Sequence, residues 1–138
     1  MKTVLLFGTF DFLHSGHMHT FEEAKKLGDT LIVSVARDKA VETIKAKFPL
    51  HSEEERLNLV RHIDIVDDAI LGDEEQSVYS FFDKFIPDII ALGYDQDALK
   101  EDIETFIATH DYATTCVTLP VYKNGDMKSS RIKETLAI

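Results

Sequence analysis

The chain has 138 residues, 44% of them hydrophobic and 29% charged, with a formal net charge of −10. That length supports one domain over residues 1–138 with a single core, and the acidic balance argues against a protein that wraps nucleic acid or docks on an anionic membrane. A lone cysteine, Cys116, excludes an internal disulfide; the N-terminal apolar run is too short for a membrane span and lacks the basic lead of a signal peptide, so the expected location is the cytoplasm.

The first element is the apolar run Val4-Leu5-Leu6-Phe7, a buried strand that ends at Gly8. A helix then starts at His14 or Ser15, shows its apolar side at Met18, Phe21, Ala24 and Leu27, and closes at Gly28-Asp29. A second β-branched run covers Thr30 to Ala36, followed by a polar segment from Lys39 to Pro49. Ser52 and Glu55 form a capping box for a helix from about Glu53 to His62. Ala69 to Gly72 reads as a third strand, Val78 to Phe85 as a helix with apolar positions at Val78, Phe81, Phe82 and Phe85, and Asp88 to Gly93 as a fourth strand. A helix over Ala98 to Thr109, a buried fifth strand over Thr114 to Leu119 with Cys116 as a packed thiol, and a last helix starting near Ser129 complete the chain.

Strands that alternate with helices at this spacing require crossover connections, hence an α/β fold: a single Rossmann-like domain with a five-stranded parallel sheet and helices on both faces. Ligands of such sheets bind beyond the carboxyl ends of the strands. Gly8, Arg37, Gly93 and the Pro120 segment all fall at strand ends. No G-x-G-x-x-G follows the first strand, which sets the chain apart from dinucleotide-binding domains.

What occupies that turn instead is Gly8-Thr9-Phe10-Asp11-Phe12-Leu13-His14-Ser15-Gly16-His17. Two imidazoles at a helix N-terminus add donors to unpaired N–H groups and to the positive end of the dipole, an arrangement suited to phosphate. Gly16 allows a nucleotide to come close to the backbone. Near the other end, Lys128-Ser129-Ser130-Arg131-Ile132-Lys133 offers hydroxyls and cations at a second helix start. After the fourth strand, Gly93-Tyr94-Asp95-Gln96 supplies a tight turn and a carboxylate able to accept from a ribose hydroxyl or a base amine. Asp11 has two readings here: a ligand for a divalent ion, or an anchor for the first-motif backbone.

The block G-T-F-D-x-x-H-x-G-H resembles the signature of the cytidylyltransferase-like nucleotidyltransferases, which include glycerol-3-phosphate cytidylyltransferase, phosphopantetheine adenylyltransferase and archaeal FAD synthase. The resemblance implies transfer of a nucleotidyl group from ATP or CTP to a phosphorylated small-molecule acceptor, with pyrophosphate released and Mg2+ or another divalent cation assisting. It implies that His14 and His17 act at the α-phosphate and that Lys47 and Arg56 contact the triphosphate. Gly8, Thr9, Phe10, Asp11, Gly16, Gly93, Asp95, Ser129, Ser130 and Arg131 then line the nucleotide. A homodimer and the strand order 3-2-1-4-5 are also implied. Ala91 to Gln96 and Val35 to Asp38 resemble the archaeal FAD synthase group, which transfers AMP to FMN, although that group's C-terminal cysteines are missing. His51-Ser52-x-Glu54-x-Arg56 is similar to the glycerol-3-phosphate enzyme, whose acidic-acidic-tryptophan segment is replaced here by Tyr94-Asp95-Gln96. A nucleotide-sensing module without catalysis and a flavodoxin-type redox domain are the alternatives from other classes; the latter has no use for paired histidines.

Overall fold

The computed structural model describes residues 1–45 and 49–121. Lys47, Ser129, Ser130, Arg131 and the expected last helix lie outside the described residues.

The sheet holds β1 (Thr3–Gly8), β2 (Thr30–Val35), β3 (Asp68–Leu71), β4 (Ile89–Leu92) and β5 (Thr115–Thr118), in the spatial order β3-β2-β1-β4-β5. Every pairing is parallel, with Leu5 opposite Ile32 on one side and Ile90 on the other. The expected strand order is therefore the observed one. Because β1 leads to β2 on one side while β4 pairs on the other, the order reverses between β1 and β4, which puts the switch point at their carboxyl ends, by Gly8 and Gly93.

The strand pleat sorts the apolar residues between two layers. Val4 and Leu6 point to the face covered by α1 (Ser15–Lys25) and α3 (Glu53–Arg61), where they join Phe21, Ala24, Leu31, Val33, Val35 and Val60. Leu5 points to the other face and meets Ile90, Leu92, Phe81, Phe82 and two residues of α4 (Asp97–His110), Ile103 and Ile107. Both layers are closed to water at β1, and each fully buried Leu or Phe contributes about 1.5–3 kcal/mol.

Three sequence expectations change. The polar segment after β2 contains a helix, α2 (Asp38–Lys45), opened by an acidic residue that suits a helix N-terminus. The helix expected over Val78 to Phe85 is a short 3-10 helix, Ser80–Asp83. Ser77 and Tyr79 adopt left-handed backbone, with φ of 64° and 46°, which prevents an α-helix from running through them. The phenylalanines were legible as core residues, but their spacing did not reveal the turn. Finally, β5 is a half-covered edge strand, so Cys116 is only partly buried; burial still raises its thiol pKa to about 11.

Gly28 joins α1 to β2 at a point of close approach. A Cβ there would lie 2.8 Å from the Lys2 carbonyl oxygen and 2.8 Å from a Val4 methyl. Gly28→Ala is expected to destabilise the fold by about 1–3 kcal/mol, read as a lower Tm with nucleotide affinity retained; an unchanged Tm would contradict the packing described.

Candidate functional site

The first motif forms the turn between β1 and α1, at the carboxyl edge of the central strand. Gly8 ends β1 beneath the ring of Phe10: a Cβ at Gly8 would stand 2.5 Å from that ring. Phe10 and Phe12 both take left-handed backbone, with φ of 53° and 57°, and Asp11 lies between them. Phe10 is buried and sits edge-on to His17, with 5.6 Å between ring centroids.

His14 is the N-cap of α1 and exchanges hydrogen bonds with the first turn. The Gly16 N–H donates to His14 Nδ1 at 3.0 Å, and the His14 N–H donates to His17 Nδ1 at 3.2 Å. A ring nitrogen that accepts from a main-chain N–H carries no proton, so the neutral form of each imidazole holds its hydrogen on Nε2. The two rings stack at 4.0 Å, tilted by 28°. His14 Nε2 is buried with no hydrogen-bond partner among the described residues, a donor left waiting for an acceptor. Burial holds the His14 pKa below its usual 6.5, which keeps the ring in that neutral form. The first turn of α1 contains no acidic side chain, so the positive end of its dipole is uncompensated.

Gln96 connects the two strand ends at the switch point. Its Oε1 accepts from the Gly93 N–H at 2.7 Å, while its Nε2 donates to the Phe7 carbonyl at 3.3 Å. Gly93 follows β4 directly; a Cβ there would approach the Asp95 carboxylate to 3.1 Å. Tyr94 is exposed at the same edge. In the sequence Gln96 marks only a departure from a family pattern, and its partner Phe7, 89 positions away, leaves no local sign of this tie.

Asp11 is almost fully buried, and its carboxylate accepts from the main-chain N–H groups of Leu50 at 2.5 Å and His51 at 3.0 Å. His51 Nδ1 stands 3.2 Å from the same carboxylate. Of the two readings of Asp11, the structure provides direct contacts for the anchoring one. Arg56, expected at the triphosphate, has no exposed surface, and its guanidinium is bonded to Thr9, Ala36, His51 and Asp38. Asp38 and Glu53 also bond reciprocally to each other's main-chain N–H, tying the start of α2 to the start of α3. Arg37 lies at the end of β2 and donates to the Gly72 carbonyl at 3.1 Å.

The described part of the first motif thus brings His14, Gly16 and His17 together at one helix start, with Gly8 to Asp11 beneath them and Gly93 to Gln96 across the switch point. A helix start without carboxylates at the reversal of a parallel sheet suits a phosphate-bearing ligand, the chemistry expected of a nucleotidyltransferase. Comparison leads to the same class: a family profile described as cytidylyltransferase-like matches residues 5–135, and the chain belongs to that family. It is similar to an FAD synthase of Methanosarcina barkeri, 43% identical over 99% of this chain and 97% of that one. An FAD synthase of Pyrococcus horikoshii is 36% identical over 96% of this chain and 90% of its own length. Among solved structures, the lipopolysaccharide core biosynthesis protein of Thermoplasma volcanium superposes with a TM-score of 0.82 at 38% identity, over 89% of this chain and 99% of that one. Among the described residues, no helix is long and apolar enough to cross a membrane.

The His14 cap requires an unprotonated Nδ1, which sets a direction for its dependence on pH. With the folded pKa below 6.5, the folded state binds fewer protons than the unfolded one near that value. The stability supplied by His14 is therefore complete above pH 6.5 and decreases as pH falls below it. The Tm difference between the wild type and His14→Ala is expected to shrink across that interval; a difference that grows on acidification would contradict the cap.

Proposed function

We propose that the protein is an FMN adenylyltransferase, moving AMP from ATP to the phosphate of FMN to form FAD. An FMN phosphate oxygen attacks the α-phosphorus; the bond from that phosphorus to the oxygen bridging to the β-phosphorus breaks, and pyrophosphate leaves with the electron pair. No protein nucleophile takes part, because the attacking phosphate is already ionised. The work of the site is to align two anions and to stabilise charge as it develops on the transferring group.

His14 Nε2 carries this reading: a buried, neutral donor without a partner among the described residues, beside a second ring held in the same tautomer. In the proposed complex both Nε2–H groups donate to α-phosphate oxygens, more strongly as negative charge builds there. The main chain from Gly8 to Asp11 and at Gly16 surrounds the phosphates. Gly93 and Asp95 border the ribose and base. Lys47, Ser129, Ser130 and Arg131, outside the described residues, hold the β- and γ-phosphates in this account. The named activity of the M. barkeri and P. horikoshii relatives supports FMN as acceptor, as does their coverage of almost the whole chain.

Among the described residues, no group of three His, Cys, Asp or Glu side chains is placed to hold a metal ion. A Mg2+ carried on triphosphate oxygens needs no such cage. It enters here as part of the nucleotide substrate, where it neutralises phosphate charge. The same reading includes a homodimer in the cytoplasm and assigns no role to nucleic acid.

The test is pyrophosphate release with ATP or CTP, each paired with FMN, glycerol 3-phosphate or phosphocholine. Turnover is expected with ATP and FMN. CTP with glycerol 3-phosphate as the preferred pair would replace this reading with the alcohol-phosphate one, and tight binding without turnover by any pair would make the protein a sensor. His17→Ala is expected to lower kcat for the productive pair by about 10²–10³-fold, the usual loss when one preorganised donor is removed from a transition state.

A further inference from the structure

Among the described residues, Arg56 is the largest side chain with no solvent exposure. Its Nη1 donates to the Thr9 carbonyl at 2.8 Å and the Ala36 carbonyl at 2.7 Å, its Nε to the His51 carbonyl at 3.1 Å, and its Nη2 to the Asp38 carboxylate at 2.7 Å. The acceptors come from separate segments: the turn after β1, the exit of β2, the first residue of α2 and the lead-in to α3. Only a planar guanidinium presents enough donors at fixed angles to serve all of them from one point.

Stability alone does not explain a cation in this position. Its acidic partner among the described residues, Asp38, is about one-third exposed (32%), and a buried ion pair is commonly matched or exceeded by a well-packed apolar side chain. What the guanidinium does provide is a fixed spacing among backbone segments, one of which is strained. The turn it grips at Thr9 continues into Phe10 and Phe12, both left-handed and non-glycine, a conformation in which the Cβ crowds the following carbonyl. Such a turn persists only where its surroundings hold it.

The holding contacts form a closed circuit. Arg56 fixes the Thr9 and His51 carbonyls; Asp11, between the two strained residues, receives the Leu50 and His51 N–H groups; and Phe10 rests edge-on against His17. We propose that Arg56 is a positioning residue for nucleotidyl transfer: it holds the turn over residues 9–12 so that Phe10 fixes the His17 ring, and it does not touch the triphosphate. The inference rests on the nucleotidyl-transfer reading of the site but not on which base or acceptor is used.

The experiment pairs two variants. Arg56→Lys keeps the charge and removes the fork; Asp38→Asn keeps the arginine and removes its counter-charge. Ring ¹H–¹⁵N correlations of His14 and His17 are recorded on nucleotide-free protein, followed by the ATP Kd and by kcat with the productive acceptor. The ring signals are expected to move in both variants. In Arg56→Lys, kcat is expected to drop about tenfold or more while the ATP Kd stays within about threefold of wild type. An ATP affinity lowered about tenfold with unmoved ring signals would place the guanidinium on the phosphates and overturn the proposal, as would wild-type kcat in Arg56→Lys. If Arg56→Lys does not fold, Asp38→Asn decides through the same readouts. Because the ring signals need no substrate, they test the positioning role even if the assigned acceptor proves wrong.

Discussion

Two main-chain N–H groups, of Gly16 and His14, occupy the Nδ1 atoms of His14 and His17, and the character of the site follows from that constraint. Side-chain oxygens are the usual helix N-caps. An imidazole in that role does more than satisfy an orphan donor, because accepting at Nδ1 commits its hydrogen to Nε2. The cap therefore decides the protonation pattern of the rings as well as their orientation. Stacked at 4.0 Å, the rings present matched donors without bringing two positive charges together, and the burial that lowers the His14 pKa works in the same direction.

The fold builds outward from that exchange. Leu5, buried between two layers at the centre of the sheet, fixes β1 so that Gly8 ends at the switch point. Gly8 leaves room for the Phe10 ring, which seats His17, while Arg56 and Asp11 hold the intervening strained turn to α3 and its lead-in. A chain with net charge −10 can still attract a triphosphate because the field there is local. The first turn of α1 carries no carboxylate, and Asp11, the acid nearest it in sequence, is tied to main-chain donors. In α3, by contrast, Glu53, Glu54 and Glu55 fill the first turn, so that helix start offers nothing to an anion.

Much of this was legible in the amino-acid order because it depends on short-range patterns. The apolar run before Gly8, the His14–His17 spacing and the Ser52–Glu55 capping box are each contained within a few residues, and each appears in the structure as read. The burial of Arg56 was not legible: its partners Thr9, Ala36 and Asp38 lie 47, 20 and 18 positions away, and nothing local distinguishes a buried arginine from a solvated one. The same holds for Gln96, whose carbonyl partner Phe7 is 89 positions distant. Helix α2 was obscured because its residues read as a polar loop, and the 3-10 helix because left-handed backbone at non-glycine residues has no compositional mark.

Whether both imidazoles present Nε2–H to an α-phosphate is read from ring ¹⁵N chemical shifts of the wild-type protein, recorded with and without ATP. Acceptor-type Nδ1 and protonated Nε2 are expected on His14 and His17 in the free protein, with both Nε2 signals moving when ATP binds. Protons on Nδ1 in either ring, or Nε2 signals indifferent to saturating ATP, would contradict it.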